Sequence, residues 1–199
     1  MTAVAILPAR GGSRRIPHKN IKLFHGRPMI SYPIAAAKES GLFERIIVST
    51  DDEEIARVAD SCGADVIDRP PDLARDEVGT QEVMRDELRW VLPRPDFACC
   101  IYPCSPLMTA EDLRLGFKAL TDSRARTDFA YSVGVDPFRD AGNWYWGKTR
   151  SFLDGVPLDP DGYNIMKVVI PNERCIDINT PEDFARAEEM YRALHPEVA

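Results

Sequence analysis

The chain alternates between short unbroken apolar runs and longer segments whose apolar residues recur at helical spacing. Ala3-Val4-Ala5-Ile6-Leu7, ended by Pro8, has the pattern of a strand buried on both faces of a parallel sheet. Over 28–40 the spacing predicts a helix, with Pro28 acceptable at the first helical position, Pro33 within the first turn or so and Gly41 placed to stop it. A strand at 45–50, a helix at 52–62 stopped by Gly63 and a brief strand at 64–67 follow. The alternation continues with a helix at 81–90, a strand at 97–102, a helix at 110–120 and a strand at 129–133. Residues 143–147 read as a short aromatic strand, and 168–170 and 174–178 are candidates for two more. Thr180 is placed to cap a last helix over 181–194, with Pro181 first and Glu182 and Asp183 in the first turn, where acids favour the helix dipole.

Such alternation predicts an α/β fold, a three-layer domain with a mostly parallel sheet and helices on both faces. At 199 residues and 44% hydrophobic side chains, the expectation is one domain over 1–199, with 135–172 as a short irregular or β insertion. No stretch approaches the roughly 20 apolar residues of a membrane span, and the start lacks the plan of a signal peptide. A cytoplasmic protein without membrane contact is expected. Cys62, Cys99, Cys100, Cys104 and Cys175 form no CxxC pair and are odd in number, so they are expected to be reduced thiols.

A net charge of -7 argues against a nucleic-acid partner, but the charge is unevenly spread. Residues 1–38 hold seven of the 25 Lys and Arg and none of the 32 Asp and Glu. An acidic protein with one basic segment suggests a focused site for a small polyanion. That segment, from Leu7 through Pro8, Ala9, Arg10, Gly11, Gly12, Ser13, Arg14 and Arg15 to Lys19 and Asn20, follows the first strand, where open α/β sheets place their ligands. Two glycines let the backbone approach an anion, while Arg10, Ser13 and Lys19 can add charge and hydrogen bonds to phosphate oxygens. The spacing matches neither the P-loop nor the dinucleotide GxGxxG pattern.

The run Leu-Pro-Ala-Arg-Gly-Gly-Ser-Arg-Arg-Ile-Pro-His-Lys-Asn-Ile from Leu7, followed by Gly26-Arg27-Pro28-Met29-Ile30, resembles the opening of the CMP-sialic acid synthetase (acylneuraminate cytidylyltransferase) family. Further segments resemble it in order: Ile47-Val48-Ser49-Thr50-Asp51-Asp52, Asp68-Arg69-Pro70, Tyr102-Pro103-Cys104-Ser105-Pro106-Leu107 and Asp177-Ile178-Asn179-Thr180-Pro181-Glu182-Asp183. Tyr102-Pro103 and the run Asp140-Ala141-Gly142-Asn143-Trp144-Tyr145-Trp146-Gly147 look most like the pseudaminic acid branch. The resemblance implies a nucleotide-diphospho-sugar transferase-like, Rossmann-like fold. It also implies transfer of CMP from CTP to a nonulosonic acid such as pseudaminic or sialic acid, with release of pyrophosphate and use of magnesium.

On that resemblance Arg10, Lys19 and Asp177 are the expected catalytic residues. Leu7, Ala9, Arg10, Gly11, Gly12, Ser13, Lys19, Asn20, Arg69, Thr80, Tyr102 and Ser105 are the expected nucleotide contacts, and Asp177 with Asn179 the metal ligands. Arg69-Pro70 also fits a surface turn, Thr80 an ordinary helix cap, and Asp177 an acid near a helix start. Cys104 and Ser105 lack a visible activating base and are not expected to be nucleophiles. Trp144, Tyr145 and Trp146 fit packing against the core or a partner better than base stacking, since adjacent aromatics in a strand point to alternate faces.

Two departures from the family pattern stand out. Asn179 occupies the place of the second acid in the family's Asp-Ile-Asp, which implies altered metal use, because an amide brings no negative charge. Only a short bridge spans 135–140 where relatives carry an arm of strands, which implies a weakened homodimer and a sugar pocket of its own. A catalytically impaired nucleotide-binding partner and a cytidylyltransferase for another acidic acceptor are the alternative functions.

Overall fold

The computed structural model describes residues 1–122, 127–135, 140–158 and 164–196. Its strands are β1 (Ala3–Pro8), β2 (Leu23–Phe24), β3 (Arg27–Pro28), β4 (Arg45–Thr50), β5 (Asp65–Asp68), β6 (Phe97–Ile101), β7 (Phe129–Val133), β8 (Asp140–Lys148) and β9 (Ile165–Val169). Its helices are α1 (Ser31–Ser40), α2 (Glu53–Ser61), α3 (Thr80–Trp90), α4 (Ala110–Thr121), α5 (Thr149–Leu153) and α6 (Pro181–Leu194).

Seven strands form one sheet in the order β5-β4-β1-β6-β8-β7-β9, and β8 alone runs antiparallel to its neighbours. β1 is fully paired, with Ile6 opposite both Ile47 of β4 and Cys100 of β6. The two-sided burial expected of its unbroken apolar run follows from that central place. Ala3, Ala5 and Leu7 join the core under α1, α2 and α4, while Val4 and Ile6 join the core under α3 and α5. This is the three-layer, mostly parallel arrangement. A third cluster seats Ile16, Phe24 and Met29 against Ile176, Ile178 and Phe184 of the C-terminal segment.

Three expectations are corrected. The helix read from 28 begins at Ser31, because Arg27 and Pro28 pair with Phe24 and Leu23 across a turn whose His25 and Gly26 have positive φ. Residues 174–178 make no strand: a 3-10 turn covers Asn172–Arg174, and Ile176 and Ile178 are buried against α6 without a ladder partner. The stretch 135–172 adds β8 and β9 to the main sheet and packs α5 on one of its faces, with Trp144 and Trp146 in the core on one side of β8 and Tyr145 against the cluster of α3 and α5 on the other. β7 and β8 are joined through residues 134–139, of which 136–139 lie outside the described residues.

The two tryptophans settle into the core as their alternation suggested. Both have 0% exposure, and the Trp146 indole donates to the Leu113 carbonyl at 3.1 Å. Gly116 of α4 makes room for them: a Cβ there would lie 2.5 Å from Trp144 and 2.6 Å from Trp146. Gly116→Ala is therefore expected to lower stability by about 1–3 kcal/mol through overpacking, despite alanine's better helix propensity, as read from urea unfolding.

Candidate functional site

The loop after β1 is anchored at several points. Ile16 is buried, the Gly11 amide donates to Asp51 Oδ1 at 2.9 Å, and the Ser13 amide donates to the Gly11 carbonyl at 2.8 Å. A Cβ on Gly11 would lie 2.6 Å from Asp52 Oδ2, so only glycine lets the loop press this close to the start of α2. The buried Asn20 amide donates to the Arg10 carbonyl at 2.9 Å and accepts from the Cys104 thiol at 3.1 Å, which fixes its orientation.

This loop borders two adjoining hollows at the carboxyl ends of β1 and β6. β4 lies on one side of β1 and β6 on the other, so they sit at the point where the strand order reverses. One hollow, of about 530 Å³, is lined by Arg10, Ser13, Lys19, Asn20, Tyr102 and Asp177, with Asn179 at its wall. The other, of about 450 Å³, is lined by Gly11, Gly12, His18 and residues 74–77. Arg10, Ser13, Arg14 and Asp76 border both.

Each of the loop's four cations meets an acceptor, Arg14 from a largely exposed position. Arg10 Nη1 is paired with Asp76 Oδ1, and Arg14 Nη2 lies 3.2 Å from Asp76 Oδ2. These two guanidinium groups hold the Asp76 carboxyl below the usual range, chiefly through the Arg10 hydrogen bond. Lys19 Nζ donates to the Ile178 carbonyl at 2.6 Å, and Arg15 Nη2 donates to Asn179 Oδ1 at 3.1 Å. Asn179 in turn donates through Nδ2 to Asp177 Oδ2 at 2.5 Å. The capping box of Thr180 and Asp183 also grips the Asn179 amide, so α6 holds this pair in place.

Other expected contacts stand behind the hollows. Leu7 and Ala9 have 0% exposure and can offer only backbone. Arg69 is not on a surface turn: it is buried, and it donates from Nε to Ser49 Oγ at 3.0 Å and from Nη2 to the Ser49 carbonyl at 2.8 Å. Ser49 Oγ donates in turn to the buried Glu87 carboxyl. Burial pushes the Glu87 carboxyl up, against the opposing pull of Ser49 and Arg69. Thr80 is the first residue of α3 rather than its cap, which is Gly79, and its hydroxyl lies 3.3 Å from Tyr102 Oη. Ser105 Oγ donates to the Gly142 carbonyl at 3.1 Å, and burial raises the Cys104 thiol to about 12, so neither is an activated nucleophile.

Among the described residues all five cysteines are free, and no group of three His, Cys, Asp or Glu side chains is gathered for a metal. No helix among the described residues is long and apolar enough to cross a membrane. Three contributors escaped the sequence reading. Asp76 sits in an unremarkable Arg75-Asp76-Glu77, and Arg15 was one base among several. Gly142 comes close to Asp177, where its Cβ would lie 3.2 Å from the Asp177 Cβ.

The family model described as Cytidylyltransferase matches residues 4–145, which span β1, the basic loop and both hollow-lining strand ends. The chain belongs to the cytidylyltransferase family. It is 28% identical over 230 aligned positions to the pseudaminic acid cytidylyltransferase of Campylobacter jejuni, covering 98% of both chains. Those positions exceed the 199 residues here, so that relative carries segments this family member lacks. In fold, it is similar to a CMP:2-keto-3-deoxy-manno-octonic acid synthetase solved with CTP (TM-score 0.79, 15% identity, 98% and 100% of the two chains). It is also similar to a Mycobacterium tuberculosis H37Rv protein solved with manganese (TM-score 0.69, 16% identity, 95% and 99%).

Ser49, Arg69 and Glu87 form a buried hydrogen-bonded network, and its disruption has a definite sign. Arg69→Met removes the charged donor to Ser49 Oγ and one of the two donors to the Ser49 carbonyl, which still accepts from the Ala9 amide, a loss of about 1–3 kcal/mol at any pH. It also removes the cation that eases ionisation of Glu87, so the folded-state proton affinity of Glu87 rises further above its unfolded value. Stability is then lost as pH rises through that window, and urea unfolding is expected to show a larger deficit at pH 7 than at pH 4.

Proposed function

We propose that this chain transfers CMP from CTP to a nonulosonic acid, with pseudaminic acid the first candidate, and releases pyrophosphate. The observation that carries the reading is the gathering of Arg10, Ser13, Lys19, Asp177 and Asn179 around one hollow at the sheet's switch point. Kinship with the Campylobacter jejuni pseudaminic acid cytidylyltransferase over nearly the whole chain supports the choice of nucleotide and sugar class.

In this reading Arg10, Ser13 and Lys19 bind the triphosphate, with Gly11 and Gly12 allowing close approach. Positive charge already in place stabilises the pyrophosphate as the sugar hydroxyl oxygen bonds to the α-phosphorus and the bond to the β-phosphate oxygen breaks. Leu7, Ala9 and Tyr102 line the nucleoside end, Tyr102 being steadied by Thr80. Asn20 orients the loop through the Arg10 carbonyl, while Arg69 and Ser105 support the wall from behind.

Asp177 with Asn179 would hold a divalent cation, magnesium among the candidates. The donor set fits a cation that takes most of its oxygens from substrate phosphates and water, since Asp177 is the single carboxylate of the pair and the Asn179 oxygen already accepts from Arg15. When bound, such a cation neutralises charge on the phosphates. A protein of the same fold has been solved with manganese, which supports use of a divalent ion.

CTP is expected to raise the melting temperature selectively over ATP, GTP and UTP, and pseudaminic acid to trigger pyrophosphate release. Arg10→Ala is expected to lower kcat/KM by about 100- to 1000-fold. No selective CTP shift, or no pyrophosphate with any nonulosonic acid, would overturn the reading. Asn179→Asp places a second carboxylate against Asp177, so it is expected to melt lower than the parent in EDTA and to gain more from added magnesium or manganese. An unchanged melting temperature in EDTA would remove the Asn179–Asp177 contact from consideration.

A further inference from the structure

The basic loop already holds an anion, and that anion is part of the chain. Asp76 presents its two carboxylate oxygens to two guanidinium groups, Oδ1 to Arg10 and Oδ2 to Arg14, at the boundary of both hollows. A carboxylate and a phosphoryl group offer paired oxygens of similar spacing to arginine, so both compete for the same donors. The segment bearing Asp76 has little else to hold it. Residues 75–77 are exposed, and the hydrogen bonds of 74–78 otherwise run to Pro71, Asp72 and Arg75 close by in sequence. Among the described residues, the ties that link 74–79 to a segment distant in sequence are those to Arg10 and Arg14, the others running to Pro71, Asp72 and the start of α3.

We propose that Asp76 is a built-in competitor for the triphosphate: it closes residues 74–79 over the glycine-rich loop in the free protein, and phosphate ligands must displace it from Arg10 and Arg14. The inference rests on the reading of this cleft as a triphosphate site. It adds a residue that sets ligand affinity and couples binding to opening of one edge of the cleft. In the closed form the arginines are neutralised and held ready, which lessens their mutual repulsion. Apparent affinity is reduced by the fraction of molecules in which they are released. Because the competition is for the phosphates alone, it weakens every polyphosphate ligand by the same factor and leaves the cytidine end untouched.

Calorimetric titration of the full chain with inorganic tripolyphosphate, CTP and cytidine tests this, comparing the parent with Asp76→Asn and with Glu77→Gln. The asparagine is isosteric and lies at the surface, and thermal unfolding verifies that the variant is folded. Asp76→Asn is expected to tighten tripolyphosphate and CTP by the same factor, about three- to tenfold given the modest strength of half-exposed ion pairs, with no change for cytidine. Glu77→Gln, which removes the same charge from the lining of the second hollow, is expected to tighten tripolyphosphate and CTP by less than Asp76→Asn does. Unchanged, weaker or absent tripolyphosphate binding in Asp76→Asn would overturn the proposal, as would an equal gain from Glu77→Gln, which would reduce the effect to net charge. Tripolyphosphate reads the cradle without the nucleoside, so loss of CTP preference would sink the cytidylyltransferase reading while the Asp76 result stood on its own.

Discussion

Four cations, Arg10, Arg14, Arg15 and Lys19, fall within ten residues of one loop, and like charges at short range repel by about 1–4 kcal/mol per pair in water or near a protein surface. Such a loop is steadied when its charges meet acceptors. The acceptors are the Asp76 carboxylate for Arg10 and Arg14, the Asn179 amide oxygen for Arg15, and the Ile178 carbonyl for Lys19. They come from segments distant in sequence. The same contacts that offset the loop's charge also join residues 74–79 and 177–180 to it at the end of β1.

Neutral scaffolding completes the arrangement. Asn20 joins the Arg10 carbonyl to the Cys104 thiol, tying the loop to the segment after β6. Asp51 and Asp52, at the end of β4, take the Gly11 amide and cap α2 respectively, so the two acids nearest the glycines are spent on structure. Behind them Ser49, Arg69 and Glu87 form a buried polar cluster, whose members satisfy one another and resist displacement. On such supports most of the walls stay in place as charge is presented to a polyanion, the edge held by Asp76 being the part that yields, and charge fixed in advance is the condition for electrostatic stabilisation in family chemistry of this kind.

The Asp177–Asn179 pair shows how one amide alters a site. Asn179 donates to Asp177 and accepts from Arg15, so it links a carboxylate to a guanidinium, a role an aspartate at this position could not fill in the same way because it has no donor to offer Asp177. The substitution trades a charge for an ordered three-residue relay. Gly142, at the start of β8, makes the close approach to Asp177 possible, and Ser105 and Asn143 pin that start in place through the Gly142 and Arg174 carbonyls.

Much of this was legible along the chain, because strands and helices follow from periodicity and local capping. The strands at 45–50 and 129–133, the helix at 181–194 with its Thr180 cap, and the core role of Trp144 and Trp146 depend on nearest neighbours and burial alone. So did the place of the basic loop after the first strand, and its resemblance to the cytidylyltransferases. What the chain order could not convey was pairing at a distance. Pro28 belongs to a strand because Leu23 lies opposite it, and 174–178 stays outside the sheet because its apolar residues face α6. Asp76 has no motif to announce it, and Arg69 looks like a turn residue until Ser49 and Glu87 surround it. Periodicity reports which side of an element is buried, whereas the partner of a charge is set by where the fold brings two remote segments together, and that is decided only in three dimensions.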